Sequence, residues 1–195
     1  MEVALIDSPV ANVANIARAL RHAGAELRIT PDPDVIASAS KIVLPGVGSF
    51  IAAMNWLREN RIDAALKKAV SRGASLLGVC VGHQLLFDVS DEMGRTVGLG
   101  FIRGEVRKFD GQLPVPQIGW NRVRFAKNPL FDGSDAFYFV NSYAAFKTES
   151  EIARADYGGA FTAAVQSGKI FGVQFHPEKS SMAGLRLLRN FVQWT

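Results

Sequence analysis

Leu76-Leu77-Gly78-Val79-Cys80-Val81-Gly82-His83-Gln84-Leu85-Leu86-Phe87 decides how the rest of the chain is read. An apolar run with one glycine leads into the chain's single cysteine, and a second glycine follows two residues later. An amphipathic segment then starts at Gln84-Leu85-Leu86. The pattern predicts a buried strand, a sharp turn and a helix, with Gly78 and Gly82 where side chains would crowd the turn. It is the Gly-x-Cys-x-Gly form of a nucleophile elbow, which lifts the sulfur above the sheet edge. The positive end of the following helix favours thiolate there, and the Val81 N–H is placed to receive an oxyanion. A free cysteine more commonly ends as a small buried hydrophobe. The flanking glycines favour the elbow, and a base and a second oxyanion donor would complete it.

On the N-terminal side, strands and helices alternate. Val3 to Ile6 is a short apolar run typical of a strand buried on both faces, and Asp7-Ser8-Pro9 turns it. Val13, Ile16, Ala17 and Leu20 recur at helical spacing and stop before Gly24. Leu27-Arg28-Ile29 predicts a second strand with Pro31-Asp32-Pro33-Asp34 as its turn. Lys41 to Leu44 predicts a third, stopped by Pro45-Gly46-Val47-Gly48. Ile62, Ala65, Leu66 and Ala69 mark a helix whose outer face carries Lys67 and Lys68. This rhythm argues a largely parallel α/β sheet with right-handed crossovers.

Beyond Phe87 the rhythm changes. Phe101-Ile102, Val115-Pro116, Phe137 to Val140, Ala163 to Gln166 and Ile170 to Phe175 read as antiparallel or mixed strands. A last helix turns Leu185, Leu188 and Val192 inward. No repeat, low-complexity tract or linker divides the chain, so 1–195 is expected to form one domain.

Bulk composition narrows the classes. A 48% hydrophobic, 21% charged chain of 195 residues is ordinary for a globular protein. The net charge of +4 comes without a run of Lys or Arg, so no nucleic-acid stripe is expected. One cysteine excludes an internal disulfide and a cysteine-based zinc cage. No signal peptide or membrane-length apolar run is evident, and a cytoplasmic protein without metal or cofactor is expected.

A thiol nucleophile needs a base, and three histidines are available. His22 ends the first helix beside Arg21 and reads as solvated. His83 rides the first turn after the elbow and reads as a packing residue. His176 ends the strand Phe171-Gly172-Val173-Gln174-Phe175 and precedes Pro177, which holds it extended. Residues two apart in an extended chain share a side, so Glu178 falls beside His176 and can accept a hydrogen bond from its far ring nitrogen. Cys80, His176 and Glu178 then form nucleophile, base and orienter. The Pro45-Gly46-Val47-Gly48 loop, with glycine on both sides of Val47, is a candidate second oxyanion donor.

Gly78 to Leu86 together with Phe175-His176-Pro177-Glu178 resembles the class I (triad) glutamine amidotransferases along nearly the whole chain. Leu44 to Phe50, Pro116 to Asn121, Phe139 to Tyr143 and Gly172 to Ser180 narrow the resemblance to the branch serving histidine biosynthesis. The resemblance implies a flavodoxin-like α/β fold with a mostly parallel central sheet flanked by helices, and mixed strands in the C-terminal half. It implies catalysis by Cys80, His176 and Glu178, an oxyanion hole from Val81, Val47 and Gly48, and glutamine contacts at Gly46, Gln84, Ser142 and Tyr143. Ammonia would pass to a (βα)8-barrel cyclase subunit docked at Asn12, Asn15, Trp120 and Lys179. The branch usually has Met at His83, His at Gln117, His at Asn141 and Tyr-Gly at Ser8-Pro9. The alternatives are a stand-alone elbow-cysteine hydrolase, in which histidine commonly follows the nucleophile where Val81 stands here, a catalytically dead assembly subunit, and a glutaminase serving another amination pathway.

Overall fold

The computed structural model describes residues 1–9, 11–111, 113–131 and 133–194. Its N-terminal half alternates as expected. Strand β1 (Glu2–Ile6) leads through helix α1 (Val13–His22) to β2 (Glu26–Thr30), and helix α2 (Pro33–Ser38) leads to β3 (Lys41–Gly46). Helices α3 (Phe50–Glu59) and α4 (Ile62–Ser71) precede β4 (Ser75–Cys80), which ends at the cysteine. A one-turn helix α5 (Val81–Gln84) follows, then β5 (Phe87–Ser90), β6 (Thr96–Val97) and β7 (Ile102–Lys108). The C-terminal half adds β8 (Gln117–Phe125), β9 (Gly133–Asn141), β10 (Tyr143–Ala145), β11 (Glu151–Asp156), β12 (Ala160–Ser167) and β13 (Ile170–Val173). A 3-10 turn, Pro177–Lys179, enters the final helix α6 (Ser181–Gln193).

The sheet runs β2-β1-β3-β4-β13-β12-β10-β7-β5-β6. From β2 to β13 every pair is parallel; β12 and β10 then reverse the direction. β4 lies between β3 and β13, and all six of its residues are buried, as a doubly covered parallel strand requires. Helices α1 and α6 pack together, while α2, α3 and α4 form a second group. The β8–β9 ribbon joins the sheet through β11. It is held by an aromatic core in which Phe137 lies 4.1 Å from Phe175, with Phe125, Phe131 and Phe139 around them. Each fully buried ring of this kind contributes roughly 2–3 kcal/mol.

Several expectations need correction. Pro31 to Asp34 is not only a turn: Asp32 accepts from the Asp34 N–H at 2.9 Å and Pro33 opens α2. Helix α3, unread in the sequence, has Phe50, Ala53, Met54 and Leu57 buried at helical spacing. The helix after the elbow is a single turn, because Leu85 and Leu86 bend into β5. The macrodipole acting on the sulfur is therefore small. β3 continues through Pro45 and Gly46 instead of stopping at them, and Val115-Pro116 precedes β8 instead of forming a strand. Leu185 is half-buried, with Leu187 and Phe191 taking the inward positions beside Leu188 and Val192.

Candidate active site

Cys80 ends β4 at φ 55°, ψ −110°, a conformation that non-glycine residues rarely hold and that turns its side chain out of the strand. The turn is possible because three glycines interlock. A Cβ on Gly82 would meet the Leu44 carbonyl, and one on Gly78 would meet the Gly82 carbonyl. A Cβ on Gly46, paired across the ladder with Cys80, would come within 2.8 Å of the Gly82 nitrogen. Sγ lies 3.9 Å from the Val140 carbonyl of β9.

Strand β13, on the other side of β4, delivers the base. His176 N–H donates to the Tyr138 carbonyl at 2.8 Å, and the His176 carbonyl accepts from Ser180 Oγ at 2.6 Å. The ring is thus fixed from both ends of its own residue. Nδ1 faces Glu178 Oε1 at 2.8 Å, and the Cys80 side chain is the ring's second electrostatic partner. Glu178 reaches the ring from the 3-10 turn opened by Pro177, not from an extended chain as the spacing argument supposed. Burial alone would lower the His176 pKa. The hydrogen bonds and charges of Cys80 and then Glu178 outweigh it and push the pKa up to about 10.

A cavity of about 230 Å³ opens over the sulfur, lined among others by Gly48, Val81, Gln84, Glu92, Ser142 and Tyr143. Gln84 Nε2 donates to the Tyr143 carbonyl at 3.0 Å and to Gln174 Oε1 at 3.1 Å, which ties α5 to β10. Gly48 has φ +82°, and Val47 is exposed. Glu92 is a wall residue that sequence reasoning missed. Its Oε2 accepts from the Phe50 N–H at 2.6 Å, so the unread helix α3 positions it. The signal available in the sequence was only a glutamate a dozen residues past the elbow.

Trp120 stands on strand β8, not on a loop, and is 55% exposed, so it is not a core residue. It meets Tyr138 edge-on at 6.0 Å, and Lys179 Nζ lies 5.8 Å from the same Tyr138 ring. Asn12 caps α1 by accepting from the Asn15 N–H, and Asn15 accepts from Arg18 at 2.7 Å. His83 is fully buried, edge-on to Phe87 at 5.2 Å, with its pKa lowered by burial to about 3. It stays neutral and packs beneath the elbow.

An elbow cysteine on a central parallel strand, with a histidine–glutamate pair brought by the next strand, defines a class I glutamine amidotransferase. The chain belongs to that family, the glutamine amidotransferase class-I domain, which it matches over residues 4–194. It is 42% identical over 195 residues to the imidazole glycerol phosphate synthase subunit HisH of Moorella thermoacetica, covering 97% of this chain and 93% of that protein. It is 44% identical over 209 residues to the same subunit of Methylococcus capsulatus, covering 98% and 96%. A crystal structure of a glutamine amidotransferase superposes with a TM-score of 0.79 at 21% identity, over 97% of this chain and 96% of that one. PurLQS from Thermotoga maritima superposes at 0.76 and 18% identity, with the same coverage of both chains. These two likenesses show the fold.

Proposed function

We propose that this chain is the glutaminase subunit of an imidazole glycerol phosphate synthase. The observation that carries the chemistry is His176, held between Cys80 and the Glu178 carboxylate at 2.8 Å. The Cys80 thiolate attacks the side-chain amide carbon of glutamine. The N–H groups of Val81 and of Val47 or Gly48 receive the oxyanion. His176 gives its proton to the departing nitrogen, ammonia leaves, and a glutamyl thioester remains. Acylation removes Cys80's part in raising the His176 pKa, its hydrogen bond first and its charge after it. The ring thereby becomes a competent base at the step that needs one, taking a proton from the water that releases glutamate. Gln84 and the backbone of Gly46, Ser142 and Tyr143 hold the substrate, and the Glu92 carboxylate supplies a counter-charge for an α-ammonium group.

The ammonia passes to a (βα)8-barrel cyclase subunit, which makes imidazole glycerol phosphate and aminoimidazole carboxamide ribotide. The relatives of this name, matched end to end, favour that partner. Docking of the barrel with its own ligand bound switches the glutaminase on by turning the Val47 peptide toward the oxyanion. Replacing Cys80 by alanine tests the reading. Glutamine-dependent synthesis by the complex should vanish, while synthesis from added ammonia continues. A Cys80→Ala complex that still used glutamine would overturn the mechanism.

A further inference from the structure

Away from the sulfur, β8 and β11 enclose a second cavity. The two strands pair only at Ala153↔Phe125 and Arg154↔Arg124 and then part. At the far end Asn121 Nδ2 donates to the Asp156 carbonyl at 2.7 Å. The space between them, about 410 Å³, is walled by Arg122, Arg124, Arg154 and Asp156. That volume lies within the range of small-molecule sites, roughly 300–1,000 Å³.

The charges here work against the sheet. Arg124 and Arg154 stand directly opposite each other, and like charges in that position destabilise strand pairing. Arg122 lies two residues along the same face, about 7 Å further on at strand rise. Arg154 is paired with Glu151 at 2.7 Å. Among the described residues no carboxylate pairs with Arg122 or Arg124. With Arg154 neutralised by Glu151, Arg122 and Arg124 against the one carboxylate of Asp156 leave the wall with a net charge of 2 − 1 = +1. Guanidinium forks match phosphate oxygens two at a time, and a concave wall of one sign concentrates its field.

We propose that this cleft binds a small diphosphate-bearing anion. One phosphate group sits between Arg124 and Arg154, and the second turns toward Arg122. The cavity shares no lining residue with the one over Cys80, so this site stands independently of the glutaminase reading. The diphosphate could be free or carried on a nucleotide, and titration calorimetry separates the two. The full chain is titrated with inorganic pyrophosphate, ADP and AMP, each against a sodium chloride control of equal ionic strength. Saturable one-to-one binding of pyrophosphate is expected, with AMP at least tenfold weaker. ADP matching pyrophosphate identifies a nucleotide ligand; ADP binding much more weakly identifies the free anion. R122Q/R124Q should lose at least tenfold in pyrophosphate affinity, with an unfolding midpoint in the absence of ligand no lower than that of the wild type. Arg72→Gln, at the exposed end of α4, should bind as wild type. Wild-type heats no larger than the salt control overturn the proposal, whatever the variants do. So does undiminished binding by a folded R122Q/R124Q.

Discussion

His83 sits neutral under the elbow with both ring nitrogens unpartnered, whereas His176 is held charged between a sulfur and a carboxylate. Their surroundings predict opposite consequences. Below about pH 6.5 an unfolded His83 takes a proton that the native residue refuses until about pH 3. Stability therefore falls with falling pH across that window, at roughly 1.4 kcal/mol per unit for this one group. His83→Met, which removes the titration, should flatten the acid limb of stability measured by urea unfolding from pH 6.5 to 4, and a limb of unchanged slope would contradict the assignment. Glutamine turnover by the same variant, measured in the complex, should stay within about tenfold. His176→Asn should lower turnover by at least ~10²-fold, the usual scale for losing a general base. Glu178→Gln should retain part of the activity, since the carboxylate orients the ring and supports its charge without accepting its proton. Equal losses in the His83 and His176 variants would show the base to be misassigned.

Elements carry these side chains, and two of them hold testable detail. Lys41 opens β3 and is almost wholly buried, its Nζ donating to the carbonyls of Phe191, Val192 and Trp194 at 2.5–2.9 Å. Burial, then repulsion from Lys169, lowers its pKa. It closes the C-terminal end of α6, whose last carbonyls have no helical partner. Lys41→Met should destabilise the fold by about 1–3 kcal/mol, the scale for leaving buried carbonyls unmatched; chemical denaturation measures it. The loop after β3 is the second element. Val47→Pro removes one N–H and should hold the assembled complex ~10²–10³-fold below wild type while glutamine still binds. A Val47→Pro complex activated normally by ligand would exclude that donor. The parallel half of the sheet was legible because β1, β3 and β4 are largely apolar runs with Pro or Gly at or near their ends, and the short β2 is bracketed by Gly24 and Pro31. The elbow was legible because only glycine fits at Gly78 and Gly82. β8 was not, since Ile118, Trp120, Arg122 and Arg124 face outward and mask its alternation. Nor was Glu92, whose place depends on a contact 42 residues away with the start of α3.

Over the whole molecule, the sheet brings its distant parts to one end. Gly46, Cys80 and His176 come from three neighbouring strands, and the Tyr138–His176 backbone bridge joins the ribbon to them. Trp120, Tyr138 and Lys179 stack beside that bridge, so a partner docked there would touch the element that holds the base. Trp120→Ala should weaken association with the partner subunit by at least about tenfold, the scale of an interface anchor, in a pull-down or titration. The isolated variant should melt as wild type does, since the exposed ring is not part of the core. One more property follows from the elbow. Cys80 is the only sulfhydryl in 195 residues, and it forms part of the cavity wall. A thiol-selective alkylating label therefore reads out a single position, and intact-mass spectrometry of a labelled sample becomes a direct census of reactive nucleophiles. Adduct count per chain gives the fraction of competent molecules. The rate at which saturating glutamine slows labelling gives occupancy of the site, with no coupled assay and no partner subunit present.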